Sequence, residues 1–286
     1  MSAERAFQAI GRACVGHLKA NERAVVQTRA PEAVHQMRVA LRRWRTALSV
    51  FKDLLEDRGE AIRSELKWLA GELNEARDLD VFASDSLATA APPGDHPDGL
   101  AALNEAASRA RRRAYDRAAA AIRSERYRKL MWDGARAIES PGWTVGGAPS
   151  MPPARDLARS ALKRRSRAVR RRGVRLQKLG PHARHVLRID AKKARYTAEL
   201  FSTLFDHPTR KRRFVGALKA LQDSLGELND IKVGRDLVRR LADDAGTPEA
   251  LAAARQIANA RAGGEARRLK AAEKAYDRFA GAEPFW

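Results

Sequence analysis

The chain has 286 residues, of which 44% are hydrophobic and only 6% aromatic, a balance that excludes a disordered polyelectrolyte and leaves room for a packed core. Lys and Arg number 56 against 35 Asp and Glu, a formal net charge of +21, so a compact fold carries a self-repulsion that an anionic partner would relieve. The lone cysteine, Cys14, excludes an intramolecular disulfide, and no run of about 18 apolar residues offers a membrane span or signal core; a soluble, cytoplasmic protein is expected.

Ala, Leu and Arg are abundant and runs of Val, Ile, Thr and aromatics are missing, so the periodicity reads as all-α. The first predicted helix, 3–28, carries Cys14 as a small residue of its buried face. The second, 32–55, opens with His35. The third, 59–89, contains Leu69-Ala70-Gly71-Glu72-Leu73-Asn74-Glu75. Pro- and Gly-rich residues from Ala91 to Gly99 then break the pattern. The fourth helix, 99–139, allows for a bend and includes the cluster Arg111-Arg112-Arg113. A second break, Ser140 to Pro153, falls at mid-chain. It divides the chain into an N-terminal half, 1–140, a linker, 141–153, and a C-terminal half, 154–286. Helices near 153–178, 182–205, 208–243 and 248–280 follow, with a weaker break from Asp243 to Pro248. Four segments on each side of the linker predict two four-helix bundles.

The halves share a motif. His35-Gln-Met-Arg38-Val-Ala-Leu-Arg42-Arg43-Trp44-Arg45 aligns without a gap on His185-Val-Leu-Arg188-Ile-Asp-Ala-Lys192-Lys193-Ala194-Arg195, and Phe51 then falls on Phe201. A second block, Gly71-Glu72-Leu73-Asn74-Glu75, matches Gly226-Glu227-Leu228-Asn229-Asp230 in the same order. Two matched blocks in one order predict an internal duplication.

On a helical wheel with His35 at zero, Arg38, Arg42 and Arg45 fall within about 80° of it. Met37, Leu41, Trp44, Leu48 and Phe51 gather on an adjoining apolar stripe. The second helix repeats this, with His185, Arg188, Lys192 and Arg195 beside Leu187, Ala191, Ala194, Ala198 and Phe201. A solubilising face would lie opposite the core and mix both signs. Here the basic stripe borders the core, and within it no carboxylate is expected to offset the cations. Arg43 and Lys193 stand apart, near 80°. Guanidinium forks match phosphate oxygens in a bidentate way and keep their charge at any relevant pH. A histidine among such cations is expected to favour its neutral form until a polyanion restores the charge. The Arg-rich helix after Arg155 and the Arg111–Arg113 cluster either extend an anion track or face solvent.

The duplicated His-x-x-Arg-x-x-x-basic-basic-x-Arg motif, together with Leu73-Asn74-Glu75-Ala76-Arg77-Asp78-Leu79-Asp80-Val81 and Leu187 through Tyr196, resembles the CHAD family of histidine-containing α-helical domains over nearly the whole chain. The resemblance implies two pseudo-symmetric four-helix bundles around a basic central cavity, both halves forming one domain. It also implies binding of inorganic polyphosphate and association with polyphosphate granules. Carried over, His35, Arg38, Arg42, Arg43 and Arg45 line one side of the site, and His185, Arg188, Lys192, Lys193 and Arg195 line the other. Relatives often join this domain to a CYTH triphosphatase domain, whose strands and Glu-x-Glu-x-Lys motif are absent here. Two departures stand out. Asp190 places an acid inside the second motif, and Ala194 stands where Trp44 occupies the first.

An enzyme is not expected. No Walker-type loop, no cysteine nucleophile setting and no metal-ligand spacing among the six histidines is present, so neither cofactor nor metal is predicted. Glu72, Asn74, Glu227 and Asn229 read as capping or helix–helix hydrogen-bonding residues. Nucleic acid is the alternative partner on charge alone, although aromatics are too few for stacking platforms. An accessory module for a polyphosphate-metabolising enzyme is the other alternative.

Overall fold

The computed structural model describes residues 1–86, 97–139, 152–262 and 264–286. The protein is all-α. Among the described residues the extended pairing is one antiparallel bridge, Ser2 to Pro153. It ties the N-terminus to the start of the second half, helped by the Ala154 N–H donating to the Met1 carbonyl at 3.1 Å.

The helices, numbered in chain order, are α1 (Ala3–Arg23), α2 (Pro31–Val50), α3 (Lys52–Glu72), α4 (Asn74–Val81), α5 (Pro97–Arg123), α6 (Glu125–Glu139), α7 (Ala154–Gly173), α8 (Pro181–Leu200), α9 (Pro208–Ala245), α10 (Pro248–Ala262) and α11 (Glu265–Ala280). Several predicted helices are subdivided. The first ends in a wider π-turn, Ala24–Thr28, which Arg29 stops by adopting the left-handed conformation, φ 50°. The second ends at Phe51, where the chain turns directly into α3. A further break at Leu73 separates α3 from α4.

The predicted 99–139 helix splits at Ser124. Its hydroxyl accepts from the Tyr127 N–H at 3.1 Å and starts α6 as an N-cap would. The predicted 248–280 helix splits before Gly264, whose φ of 84° no ordinary side chain tolerates well. Most of the expected break from Ala91 to Gly99 and of the 141–153 linker lies outside the described residues.

Helices α1, α2, α3 and α6 pack into one bundle. Helices α7, α8, the first part of α9, and α11 form the other, closed by an aromatic cluster of Phe214, Phe279, Phe285 and Trp286. The two are not separate bodies. Helix α5 leaves the first bundle to pack on α4, α9 and α10. There Gly99 approaches α10 so closely that a Cβ would lie 2.2 Å from the Glu249 carbonyl. Arg113 reaches Asp244 at 3.3 Å across the same contact. At the centre α2 packs on α8, and Phe51 and Phe201 meet with ring centroids 5.9 Å apart. Phe7 lies edge-on to Phe51 at 5.4 Å, so one apolar core runs through both halves.

Candidate functional site

Helices α2 and α8 start alike, each with a proline in its first turn, at Pro31 and Pro181. A proline there lacks only an N–H that the helix could not use. Met37, Leu41, Trp44 and Leu48 of α2 are buried, as are Leu187, Ala191, Ala194 and Ala198 of α8. The apolar stripes therefore lie where the wheel places them. The basic stripes flank them: His35, Arg38, Arg42 and Arg45, and Arg188, Lys192 and Arg195, are all half-buried. His185 is exposed, as are Arg43 and Lys193. Ala194 is only 2% exposed, so the small residue leaves no gap open to solvent.

Where the helices meet, the two stripes come together. The Arg42 guanidinium lies over the Tyr196 ring, 4.1 Å from its centroid, and Arg195 lies over the same ring at 4.7 Å. One aromatic side chain from α8 thus holds a cation from each half. Arg195 is further fixed by donating from Nε to Gln222 of α9 at 3.0 Å. It also pairs with Glu199 at 3.1 Å. That pair corrects the expectation of a stripe without carboxylates: Glu199 follows Arg195 by four residues and so falls on the same face.

Arg38 is anchored from the first bundle. It donates to the Asn74 side-chain carbonyl and, at 3.5 Å, to the Ala70 backbone carbonyl. Asn74 thereby makes the helix–helix hydrogen bond its position predicts. Arg42 and Arg45 differ, because the Nε of each is buried with no hydrogen-bond partner.

Burial lowers the pKa of Arg38, Arg42 and Arg45. Neighbouring guanidiniums lower each further, against opposing pulls from Asp78 on Arg38 and from Tyr196 and Glu199 on Arg42. His35 is pushed below its ordinary value first by burial, then by Arg77, Arg42 and Arg38, against an opposing pull from Glu32. Lys193 is lowered by burial and by Arg165, Arg172, Arg63 and Arg45. The cations thus form two connected groups. One, around His35, Arg38 and Arg42, includes Arg77. The other, around Arg45 and Lys193, includes Arg63, Arg165 and Arg172. Arg43 stands aside on the α1 face, where its charge is felt by Cys14. Burial pushes the Cys14 thiol up to about 12, so it stays protonated.

Sequence reasoning missed Arg63, Arg77, Arg184 and Tyr196. Arg77 and Tyr196 lie inside matched segments, and Arg184 falls on the α8 stripe at about 260° on the wheel. The signal for those three was present. Arg63 carries no such signal, since only the packing of α3 on α2 brings it to Arg45. Arg184 is largely buried and pairs with Glu265 at 3.1 Å.

The Arg-rich helix α7 is partly structural. Arg165 donates to the Lys193 carbonyl at 3.0 Å, to the Thr197 hydroxyl and to the Ser49 hydroxyl at 3.0 Å, pinning α7 to α8 and α2. Burial and adjacent Arg164 lower its pKa to about 10. Arg172 pairs with Asp190, which gives the acid inside the second motif its counter-ion. Arg170 reaches the carbonyls of Ala280 and Ala282. In the other cluster Arg111 pairs with buried Asp80 at 2.7 Å, and the Tyr115 hydroxyl donates to the same carboxylate at 2.7 Å. Arg111 is therefore a fold residue. Among the described residues no group of three or more His, Cys, Asp or Glu is placed to hold a metal ion.

A family model described as CHAD domain matches residues 9–239. Two curated relatives are uncharacterized proteins of Mycobacterium tuberculosis, strains CDC 1551 / Oshkosh and ATCC 25618 / H37Rv. Each is 28% identical over 222 residues, which cover 74% of this chain and 40% of the relative. The chain thus spans well under half the length of these relatives. Among solved structures, the crystal structure of the CHAD domain from the plant Ricinus communis superposes with a TM-score of 0.79 at 29% identity, covering 97% of this chain and 92% of that one. PptA from Streptomyces chartreusis shares the fold, with a TM-score of 0.64 at 21% identity and 99% of each chain covered.

Proposed function

The chain belongs to the CHAD domain family, and on that premise we propose that it binds inorganic polyphosphate in the basic groove where α2 and α8 meet. The observation that carries this reading is the state of Arg42 and Arg45. Each presents a half-buried guanidinium with an unpartnered Nε, beside other cations that raise the cost of its charge. A chain of phosphates would supply acceptors and counter-charge together. His35 would donate to a phosphate oxygen at the head of the stripe, and Arg38, Arg188, Lys192 and Arg195 would supply the rest of the track. Arg43, His185 and Lys193 would meet the polymer from the exposed rim.

The reading is of a binding module, not a hydrolase. Binding would recruit the protein to polyphosphate granules, which a fluorescent fusion in polyphosphate-accumulating cells would reveal as foci that vanish when the polymer is depleted. Among the described residues no helix is long and apolar enough to cross a membrane.

Competition is the decisive test. Long-chain polyphosphate is expected to displace DNA at equal phosphate concentration, with a steep salt dependence. Replacing Arg38, Arg42, Arg188 and Arg195 together by Gln is expected to weaken polyphosphate binding on the order of a hundredfold or more. DNA that resists displacement would favour nucleic acid as the partner. Phosphate release in the presence of Mg²⁺ would make the protein an enzyme.

A further inference from the structure

Helix α7 has two basic faces, and the groove accounts for only one. Arg165 and Arg172 lean toward α8 and α2 and are held there by Thr197 and Asp190 of α8 and Ser49 of α2. Ala158, Leu162, Ser166 and Val169 are buried beside them. On the far side Lys163, Arg164, Arg167 and Arg171 are all exposed, within about 100° of one another on the wheel. A shallow groove of about 520 Å³ runs along them.

No carboxylate among the described residues pairs with any of these four. Some arginines on other elements do find carboxylates: Arg12 pairs with Glu139, Arg29 with Asp116, Arg63 with Glu60 and Arg126 with Glu65. The one acid of α7, Asp156, is taken by Arg159. A solubilising face mixes both signs, whereas Lys163, Arg167 and Arg171 stand four apart and repel along the helix. The stripe is also electrically continuous with the groove. Arg164 acts on Arg165, and Arg165 and Arg172 act on Lys193 at the rim.

We propose that the outer face of α7 is a second polyanion site that takes the same polyphosphate chain after it leaves the central groove, so that long chains are bound by both surfaces and short ones by the groove alone. This rests on the polyphosphate reading of the groove. The stripe rises about 12 Å from Lys163 to Arg171, a length suited to a linear polymer charged at every unit. No aromatic side chain lines it, so recognition is through phosphate and not through stacked bases.

The test compares tripolyphosphate with long-chain polyphosphate on wild type, on K163Q/R164Q/R167Q/R171Q and on the groove variant R38Q/R42Q/R188Q/R195Q, over a range of salt. The α7 variant is expected to bind tripolyphosphate within twofold of wild type. It should lose at least tenfold for the long chain, with a salt slope shallower by about 3, from about 0.7 per phosphate contact. Exchanging Lys and Arg at the same four positions should preserve long-chain affinity. Unchanged long-chain affinity and slope in the α7 variant would overturn the proposal, as would an equal loss for both polymers. Failure of wild type to bind either polymer removes the groove reading and the proposal with it. Loss of long-chain binding in the α7 variant but not in the groove variant removes the groove reading, and with it the proposal that one chain passes from the groove to α7. Should the fourfold variant not fold, K163Q/R167Q and R164Q/R171Q are each expected to remove about half of the slope change, and a slope unchanged in both would overturn the proposal.

Discussion

His35 and Arg165 define what single residues contribute. The pKa of His35 is held below its ordinary value of 6.5 by burial and by Arg77, Arg42 and Arg38, so the unliganded protein carries it neutral near pH 7. As pH falls through 6.5 the unfolded chain takes up its proton first, and the unliganded fold loses stability. A bound polyanion acts in the opposite sense, raising the histidine pKa and making binding take up a proton. Polyphosphate affinity is therefore expected to rise from pH 8 to pH 6, and His35→Gln to flatten that rise, both measured by titration at constant salt. A flat profile in wild type would remove His35 from the site. Arg165 is a matter of stability. Substitution by Met leaves Ser49 and Thr197 without this donor, while the Lys193 carbonyl keeps the Thr197 hydroxyl, an expected cost of about 2–3 kcal/mol. In thermal unfolding of a chain this long, this corresponds to a fall in Tm of about 3–5 °C.

The elements matter through how closely they approach. Trp44 of α2 rests on α6 at Gly134, where a Cβ would lie 2.4 Å from the indole ring. Gly134→Ala is expected to cost about 1–3 kcal/mol by overpacking, and to weaken polyphosphate binding because the ring's displacement would tilt α2 and its arginines. Gly16 lies in α1 with nothing within 4 Å of its would-be Cβ. Gly16→Ala should stabilise by about 0.5–1 kcal/mol through helix propensity alone. Equal responses to the two substitutions, read by urea unfolding, would contradict the packing described here. The helical stripes themselves were legible in the sequence, because an apolar period of 3.6 residues fixes which side chains face the core. The breaks at Leu73 and Ser124 were not, because neither residue is a strong helix breaker and tertiary packing decides where such a helix turns.

For the whole molecule, α5 ties the two halves together by packing on α9 and α10, and the expected consequence is one cooperative unfolding unit. Tryptophan fluorescence, which reports Trp44, Trp68 and Trp132 in the first half, Trp143 in the 141–153 linker and Trp286 in the second half, is expected to change at the same denaturant concentration as the helical circular dichroism signal. Two separated transitions would mean that the halves fold independently. Long-chain polyphosphate should raise the single Tm at low salt, and the increase should vanish at high salt.

The sequence by itself determined the helical class, the paired basic motifs and the stripe on each that borders the core, since these follow from periodicity and from one motif occurring twice. Family membership and the solved CHAD structure bear out the helical class. Only the tertiary structure decided which cations act together. Arg63 joins Arg45 because α3 packs on α2, and Tyr196 gathers Arg42 and Arg195 because α2 packs on α8. The arginines of α7 separate into buried braces and an unpaired outer stripe because the pairing of each guanidinium depends on which helix lies beside it. A sequence records each charge, while the cost or benefit of that charge depends on neighbours far away along the chain.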